Sequence, residues 1–194
     1  MEVIRILVVL NIDWMNLLCG IGNSKIFDNK IVIKKYPFKP SKAYPENEFL
    51  NSEIECICLE ASPLFFKTKD DLIFITTEQK NELTNFAEKN KITLIKQTWN
   101  WDRILEPFLD TEFDDKDKKK TLELLLDNGI SEKEVLEIRA EVKNQMYKYN
   151  FDTMLWEWVS LGLMDVLSAM RVKYHKNKFN EFYYRAIEIE LREK

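Results

Sequence analysis

The chain is poor in the residues that form tight loops and in those that most often bind metals. Its 194 residues include four glycines, five prolines, three cysteines and one histidine. Four glycines leave little room for a loop that cradles phosphate groups, and they favour long regular elements. The single histidine, His175, would have to serve alone in a serine or cysteine nucleophile mechanism, and a zinc site would lack ligands.

The cysteines and the start of the chain both bear on where the protein works. Cys19, Cys56 and Cys58 are odd in number and include no Cys-x-x-Cys pair. This favours small buried side chains in a reducing compartment. The apolar run at residues 6–10 is too short for a signal segment or a membrane span. We therefore expect a cytoplasmic protein that has no membrane partner.

The charge of the chain is acidic and uneven. The net charge is −4, and residues 1–98 carry 13 basic and 13 acidic residues, so the excess of acid lies in residues 99–194. Neither half has the cationic excess that binding to phosphates requires, and we expect no nucleic-acid partner. A hydrophobic content of 45% is enough for a sizeable buried core.

The first half of the chain has the pattern of strands with one helix. Apolar or alternating segments predict strands at residues 3–10, 30–36, 54–60, 64–67, 72–75 and 92–95. Thr76 and Gln79 have the spacing of a capping box, which predicts a helix that runs to about Asn90. A strand, a helix and a strand at this spacing indicate a βαβ unit with parallel neighbours. Three prolines between residues 37 and 45 predict a loop.

The second half has the pattern of helices. Asp114 or Asp115 can cap a helix that ends before Gly129, and Ser131 with Glu134 forms a capping box for the next helix, which runs to about Tyr149. The inward side chains of that helix have three-to-four spacing: Val135, Ile138, Val142, Met146 and Tyr149. Residues 152–171 predict a buried central helix capped by Asp152. Residues 177–192 predict a last helix with five inward side chains: Phe179, Phe182, Tyr183, Ala186 and Ile187.

The predicted fold class is therefore α+β, with an N-terminal mixed sheet that contains one βαβ unit and a C-terminal antiparallel helical bundle. We expect the sheet portion in residues 1–98 and the bundle in residues 99–194. The segment at residues 97–101 is aromatic and unlike a linker, so a single core shared by both halves is the alternative.

An acidic stretch from residue 102 to residue 117 is the first candidate site. Asp102, Glu106 and Asp110 fall on one helical face if a helix continues through Pro107, and Glu112 follows them. Together with Asp13, at the end of the first predicted strand, these carboxylates could serve a metal-dependent hydrolase or nuclease. The stretch has no EF-hand spacing and no histidine, so we expect solvated surface and helix caps, with neither metal nor cofactor.

Tryptophans provide the second candidate site. Trp99 and Trp101 flank Asn100, and Trp156 and Trp158 flank Glu157, so one member of each pair is expected to face the core. An exposed tryptophan beside acidic residues is typical of a protein interface. The predicted binding residues are Trp99, Trp101, Asp102, Glu106, Asp110 and Glu112. We expect a non-catalytic immunity, inhibitor or accessory protein whose protein partner has a basic surface; the hydrolase is the alternative, and the oligomeric state stays open.

Polar residues in the predicted central helix form one stripe: Glu157, Ser160, Asp165, Ser168 and Arg171. The stripe is the solvent edge of the helix, a set of hydrogen bonds between helices, or the lining of a small-molecule groove. If it is covered, an arginine should pair with its carboxylates, and Arg139, Arg171 and Arg185 are the candidates.

Overall fold

The computed structural model describes residues 19–109, 114–153 and 160–193, with the backbone alone for residues 151–153. The described chain divides into two units, residues 20–97 and a second unit of Cys19 with residues 98–193. The first unit holds seven strands and one α-helix, and the described part of the second holds five α-helices. This confirms the α+β class. The strand expected at residues 3–10, Asp13, and the pair Trp156 and Trp158 lie outside the described residues.

Three strands form an antiparallel sheet, β1 (Asn23–Ile26), β2 (Lys30–Lys34) and β3 (Glu46–Leu50), in the order β1-β2-β3. The central strand contributes Ile31 and Ile33 to the core. Strand β3 was not expected, because it carries mainly polar, exposed residues and follows the prolines. Those prolines do form the predicted loop, whose ends are joined by the hydrogen bond from Tyr36 N to Pro45 O (2.9 Å).

Four strands form a mixed sheet, β4 (Ile54–Cys58), β5 (Leu64–Thr68), β6 (Asp71–Ile75) and β7 (Thr93–Ile95). Helix α1 (Lys80–Asn90) connects β6 to β7. The order is β6-β5-β4-β7, with β7 parallel to β4 and the other pairs antiparallel. The mixed sheet and the strand–helix–strand unit are confirmed. The two strands of that unit were expected to be neighbours but are not, since β5 and β4 lie between β6 and β7.

Two local expectations in this unit were wrong. Thr76 makes no capping hydrogen bond through its side chain, and a 3-10 turn (Thr77–Gln79) precedes α1. The Gln79 side chain, which the capping box required, instead accepts a hydrogen bond from the Ser24 hydroxyl. Strand β4 does not alternate cleanly, because its pairing shifts between Ile54 and Cys56 and because Ile57 and Cys58 are both fully buried.

The second unit contains α2 (Asn100–Leu105), α3 (Asp115–Asp127), α4 (Glu132–Thr153), α5 (Leu163–Lys173) and α6 (Lys176–Glu190). A 3-10 turn (Glu106–Phe108) follows α2. Helices α4, α5 and α6 pack together in succession. The five inward residues expected for α4 and the five expected for α6 are all buried. Among the described residues, no helix combines the length and the apolar content needed to cross a membrane.

The helix ends in this unit follow local sequence signals. The side chain of Asp114 accepts a hydrogen bond from Asp117 N at 2.7 Å, which confirms the predicted cap of α3. Gly129, at φ +78°, follows the end of that helix as expected. The Ser131 hydroxyl accepts a hydrogen bond from Glu134 N at 3.2 Å, while Ile130 and Val135 are both buried as a hydrophobic staple requires.

The prediction of a continuous central helix at residues 152–171 was wrong. Helix α4 continues through Asp152 to Thr153, so Asp152 does not cap a new helix. Residues 160–162 are not helical, and α5 begins at Leu163 after the extended residue Gly162. The Asp165 carboxylate accepts a hydrogen bond from Gly162 N at 2.8 Å, which stabilises a helix start at this position.

Candidate functional site

Trp99 is the exposed aromatic residue at the start of α2. Its backbone has φ 60° and ψ 26°, in the left-handed region, and 41% of the residue is exposed to solvent. This conformation is strained for a bulky side chain and persists only when neighbouring contacts impose it. Because Trp99 holds the N-cap position, its carbonyl accepts the first helical hydrogen bond, from Arg103 N at 3.1 Å.

The residues on both sides of Trp99 are bound to the end of α6. The Thr98 hydroxyl donates to the carbonyl oxygen of Glu190. The Asn100 side-chain amide donates to Ile189 O at 2.8 Å, and the Trp101 backbone N–H donates to Glu190 Oε2 at 3.1 Å. Asn100 and Glu190 are both buried. These hydrogen bonds hold the backbone of Trp99 while its indole stays accessible.

Trp101 has the opposite environment. It is 0% exposed, its Nε1 donates to Ala186 O at 2.8 Å, and its ring lies 6.2 Å from that of Phe182. Of the two tryptophans, Trp101 therefore belongs to the core and Trp99 to the surface. A partner could not reach Trp101 without opening the helices, so Trp101 can support a binding surface only by positioning its neighbours.

Asp102 lies on the partly buried side of α2. Burial, with a smaller contribution from the charge of Asp165, raises the pKa of its carboxyl group to about 6, against the opposing effects of a backbone hydrogen bond and of Arg103. A Cβ atom added to Gly162 would lie 3.4 Å from Asp102 Oδ2. Asp102 thus faces the backbone at the start of α5, which places it near Asp165 rather than on an open acidic surface.

Asp165 is the second carboxylate of this pair. It accepts hydrogen bonds from Gly162 N at 2.8 Å and from the Tyr149 hydroxyl at 3.0 Å. Burial raises the pKa of Asp165. The pKa of Tyr149 is also raised, mainly by burial and next by the nearby charge of Asp165. Raised pKa values at neighbouring carboxyl groups occur both at catalytic sites and in structural networks. Structurally, Asp165 acts as the cap of α5.

Glu106 is partly buried, at the beginning of the 3-10 turn after α2. Burial lowers the pKa of both the Arg103 and the Arg139 guanidinium groups, and the nearby charge of Glu106 offsets part of this effect. The two arginines also donate to backbone carbonyls, Arg139 to Ile104 O at 2.9 Å. The charge of Glu106 is therefore balanced locally. Asp110 and Glu112 lie outside the described residues.

The rest of the described acidic stretch has structural roles. Asp114 caps α3, and Asp115 pairs with Lys118 at 3.1 Å. Among the residues that the structure describes, no group of three or more histidine, cysteine or acidic residues is arranged to hold a metal ion.

The polar stripe does not lie on one helix. Ser160 is exposed and non-helical, whereas Asp165, Ser168 and Arg171 lie on α5; Glu157 is outside the described residues. The Ser168 hydroxyl donates to Met164 O at 2.8 Å and lies 3.3 Å from Cys19 Sγ.

The residue that binds the buried carboxylate of the stripe was missed. Tyr149 is a side chain that donates a hydrogen bond to Asp165, whereas Arg139 binds backbone carbonyls and Arg185 pairs with Glu141. The signal available in the sequence was the inward position of Tyr149, since a buried tyrosine hydroxyl requires a polar partner.

No family model matches the chain, and comparisons with curated proteins and with solved structures find no match either.

Proposed function

We propose that this protein is a non-catalytic binding protein, of the immunity, inhibitor or accessory kind, that docks on a protein partner through Trp99. The observation that carries the proposal is an accessible indole on a left-handed backbone, held between residues that are bound to the end of α6. Backbone strain of this kind concentrates at functional sites. Large aromatic side chains also contribute more binding energy than most other residues at protein interfaces.

Preorganisation supports this role for Trp99. A side chain whose backbone is already fixed loses less conformational entropy when a partner covers it. Here Thr98 and Trp101 both bind Glu190, so the neighbouring backbone is ordered before any partner arrives. The indole can therefore act as a rigid anchor whose apolar surface leaves water on binding.

The proposed partner has a basic surface. Four of the predicted binding residues are acidic, namely Asp102, Glu106, Asp110 and Glu112. In this proposal they attract the partner and orient it. Asp102 and Glu106 are partly buried, so most of the attraction is assigned to Asp110 and Glu112. The three cysteines carry free thiols, which supports our proposal of a cytoplasmic location.

The test is a quantitative pull-down from the native host, followed by binding kinetics with the captured protein. We expect Trp99→Ala to accelerate dissociation and to weaken binding by about 2 kcal/mol, or roughly thirtyfold. Tyr184→Ala is the matched control, because Tyr184 is an aromatic residue of the same unit with similar exposure. Charge reversal at Asp110 and Glu112 should slow association and flatten its dependence on salt.

Two results would reject this function. One is a cognate partner whose association and dissociation are unchanged by both sets of substitutions. The other is equal loss of binding with Trp99→Ala and Tyr184→Ala, which would show that Trp99 has no special role.

A second candidate, the carboxylate-based hydrolase or nuclease, is favoured by one observation: the neighbouring carboxyl groups of Asp102 and Asp165 both have pKa values raised mainly by burial. Carboxyl groups with raised pKa values cluster at catalytic sites, but also in structural networks. Asp165 already has a structural role as a cap, which is why we rank this function second. Hydrolysis of a nucleotide or ester substrate by the purified protein, abolished by Asp102→Asn without loss of folding, would reverse the ranking.

A further inference from the structure

The turn between α5 and α6 is positively charged although the protein as a whole is acidic. Residues 166–180 contain Arg171, Lys173, Lys176 and Lys178 and no aspartate or glutamate, whereas the net charge of the chain is −4. His175 lies in the middle of this segment, at the N-cap of α6. A segment of this length with four cations and no anion is unusual in a chain whose acidic residues outnumber its basic ones.

The lysines of this turn are accessible and unneutralised. Lys173, Lys176 and Lys178 are exposed, and none forms an ion pair with another described residue. Glu141 contacts the turn: its backbone carbonyl accepts a hydrogen bond from Lys173 Nζ at 2.8 Å. Its carboxylate is occupied by the Tyr174 hydroxyl at 2.7 Å and by the Arg185 guanidinium. The positive charge of the turn is therefore presented to solvent.

The ring of Tyr174 contacts two of these cations, which come from different helices. The Nζ atom of Lys178, in α6, lies 4.4 Å from the centre of its ring, and that of Lys173, in α5, lies 5.4 Å from it. The negative face of an aromatic ring attracts cations, which favours the position of each ammonium group beside Tyr174. The hydrogen bond to Glu141 fixes the ring itself.

The position of these lysines opposes the stability of α6. Lys176 and Lys178 lie in its first turn, which has no acidic residue, and His175 makes no capping hydrogen bond through its side chain. Free N–H groups and the helix dipole make this end of a helix positive, so lysines there are unfavourable. Violations of a local rule are expected where a surface has a function.

We propose that this turn, the basic corner (Lys173, Tyr174, His175, Lys176 and Lys178), binds an acidic segment of a partner protein. Carboxylate side chains complement the lysines and can also accept hydrogen bonds from the first N–H groups of α6. The chain as a whole repels an extended polyanion such as a nucleic acid, because its net charge is −4. A short acidic segment can contact the three exposed lysines of the turn without approaching the rest of the surface.

The basic corner is distinct from the Trp99 surface. Lys176 is the first residue of α6, and Glu190, which binds the residues on both sides of Trp99, is the last. At 1.5 Å per residue the two ends of this helix are about 20 Å apart. The two proposals therefore concern separate surfaces and can fail separately.

The experiment measures binding of a fluorescein-labelled oligoglutamate peptide to the full chain by fluorescence anisotropy. We expect saturable binding that weakens as salt is added. The double variant Lys176→Ala, Lys178→Ala should lose about tenfold in affinity. The control Lys116→Ala, Lys120→Ala removes two exposed lysines from α3, whose first turn contains acidic residues, and should change affinity less than about twofold.

A charge reversal separates binding from folding. Lys178→Glu places an acidic residue in the first turn of α6, so it should raise the melting temperature while it abolishes peptide binding. Trp99→Ala should leave peptide binding unchanged, which distinguishes this surface from the one in the proposed function.

Any one of three results would overturn the proposal. The first is that the peptide fails to bind at low salt, and the second is that the two double variants lose affinity equally. The third is that Lys178→Glu binds the peptide like the unmodified chain. Tighter binding of a duplex DNA or of phosphatidylserine vesicles than of the peptide, lost in the same double variant, would assign the basic corner to a different class of ligand and would also overturn it.

Discussion

The backbone N–H of Trp101 donates a hydrogen bond to Glu190 Oε2 at 3.1 Å, although the two residues are 89 positions apart. Glu190 is 1% exposed, and its backbone carbonyl also accepts a hydrogen bond from the Thr98 hydroxyl. One residue at the end of α6 thus determines the course of the chain on both sides of Trp99. The exposed position of that indole depends on a buried carboxylate.

Replacing Glu190 with alanine should reduce the free energy of unfolding by about 2 kcal/mol or more, because the Trp101 N–H would remain buried without an acceptor. Urea denaturation measures the change. Glu181→Ala is the control, since Glu181 is an exposed residue of the same helix and should have little effect. Equal midpoints for the two variants would show that the buried hydrogen bond contributes nothing.

Ser131→Ala should reduce the free energy of unfolding by about 1 kcal/mol, through loss of the hydrogen bond that the Ser131 hydroxyl accepts from Glu134 N. Glu134 itself also pairs with Arg192 at 2.8 Å, so its replacement would confuse two effects. Ser131→Asp is the more informative companion, because aspartate also caps a helix. If Ser131→Ala unfolds at the same urea concentration as the unmodified chain, the cap is not stabilising.

The stability of the protein should fall as pH rises from about 4 to about 6. In the folded state the Asp102 carboxyl group has its pKa raised to about 6, above its usual value of 3.8. Between these values the folded protein retains a proton that the unfolded chain releases, so rising pH favours unfolding. Asp102→Asn removes this effect.

Asp102→Asn should therefore stabilise the protein by about 2 kcal/mol near pH 7 and should have little effect near pH 3.5. Denaturation curves at several pH values test this expectation. A variant that is less stable than the unmodified chain at neutral pH would show that Asp102 makes a favourable ionic interaction, and the direction of the pKa shift would be wrong.

Calorimetric titration with Mg²⁺, Mn²⁺ or Ca²⁺ should detect no saturable binding at moderate ionic strength, where unspecific attraction to the acidic stretch is screened. The reason is that these carboxylates have separate structural roles and do not converge on one point. Asp114 caps α3, and Asp115 pairs with Lys118. Micromolar binding that is lost with Asp13→Asn or Glu106→Gln would instead support the hydrolase.

We propose that the two parts of the chain are separate domains, since the described residues divide near residue 98, with Cys19 grouped with the second part. The test is hydrogen exchange of the full chain, measured by mass spectrometry. Leu83→Ala and Val142→Ala remove fully buried side chains, one from each unit. Each should lower protection mainly within its own unit. If either variant lowers protection equally in both, the two parts share one cooperative core.

The parts of the fold that were predictable depend on neighbours in the chain. Ser131 and Asp114 cap the helices that follow them, and Gly129 adopts the positive φ that its place after α3 demands. Strands β5 and β6 appear where apolar residues cluster. In each of these cases the interaction partner lies within a few residues, so the pattern alone is enough.

The parts of the fold that were predicted wrongly depend on contacts with residues far away in the chain. The capping box at Thr76 fails because Ser24, from another strand, binds Gln79. The helix expected to start at Asp152 starts instead at Leu163, where Asp165 is held by Tyr149 on the preceding helix. A periodic apolar pattern does not reveal such a break, because apolar residues are buried in either arrangement.

The sequence by itself determined the fold class, most of the helices, the apolar faces of α4 and α6 and the acidic balance of the chain, because periodicity, capping and charge are local or additive properties. Only the tertiary structure decided which of two tryptophans is exposed, which carboxylates come together and which lysines surround one ring. Trp99 and Trp101, Asp102 and Asp165, and Lys173 and Lys178 owe their environments to helix ends that meet only after folding, and spacing along the chain contains no information on how those ends pack.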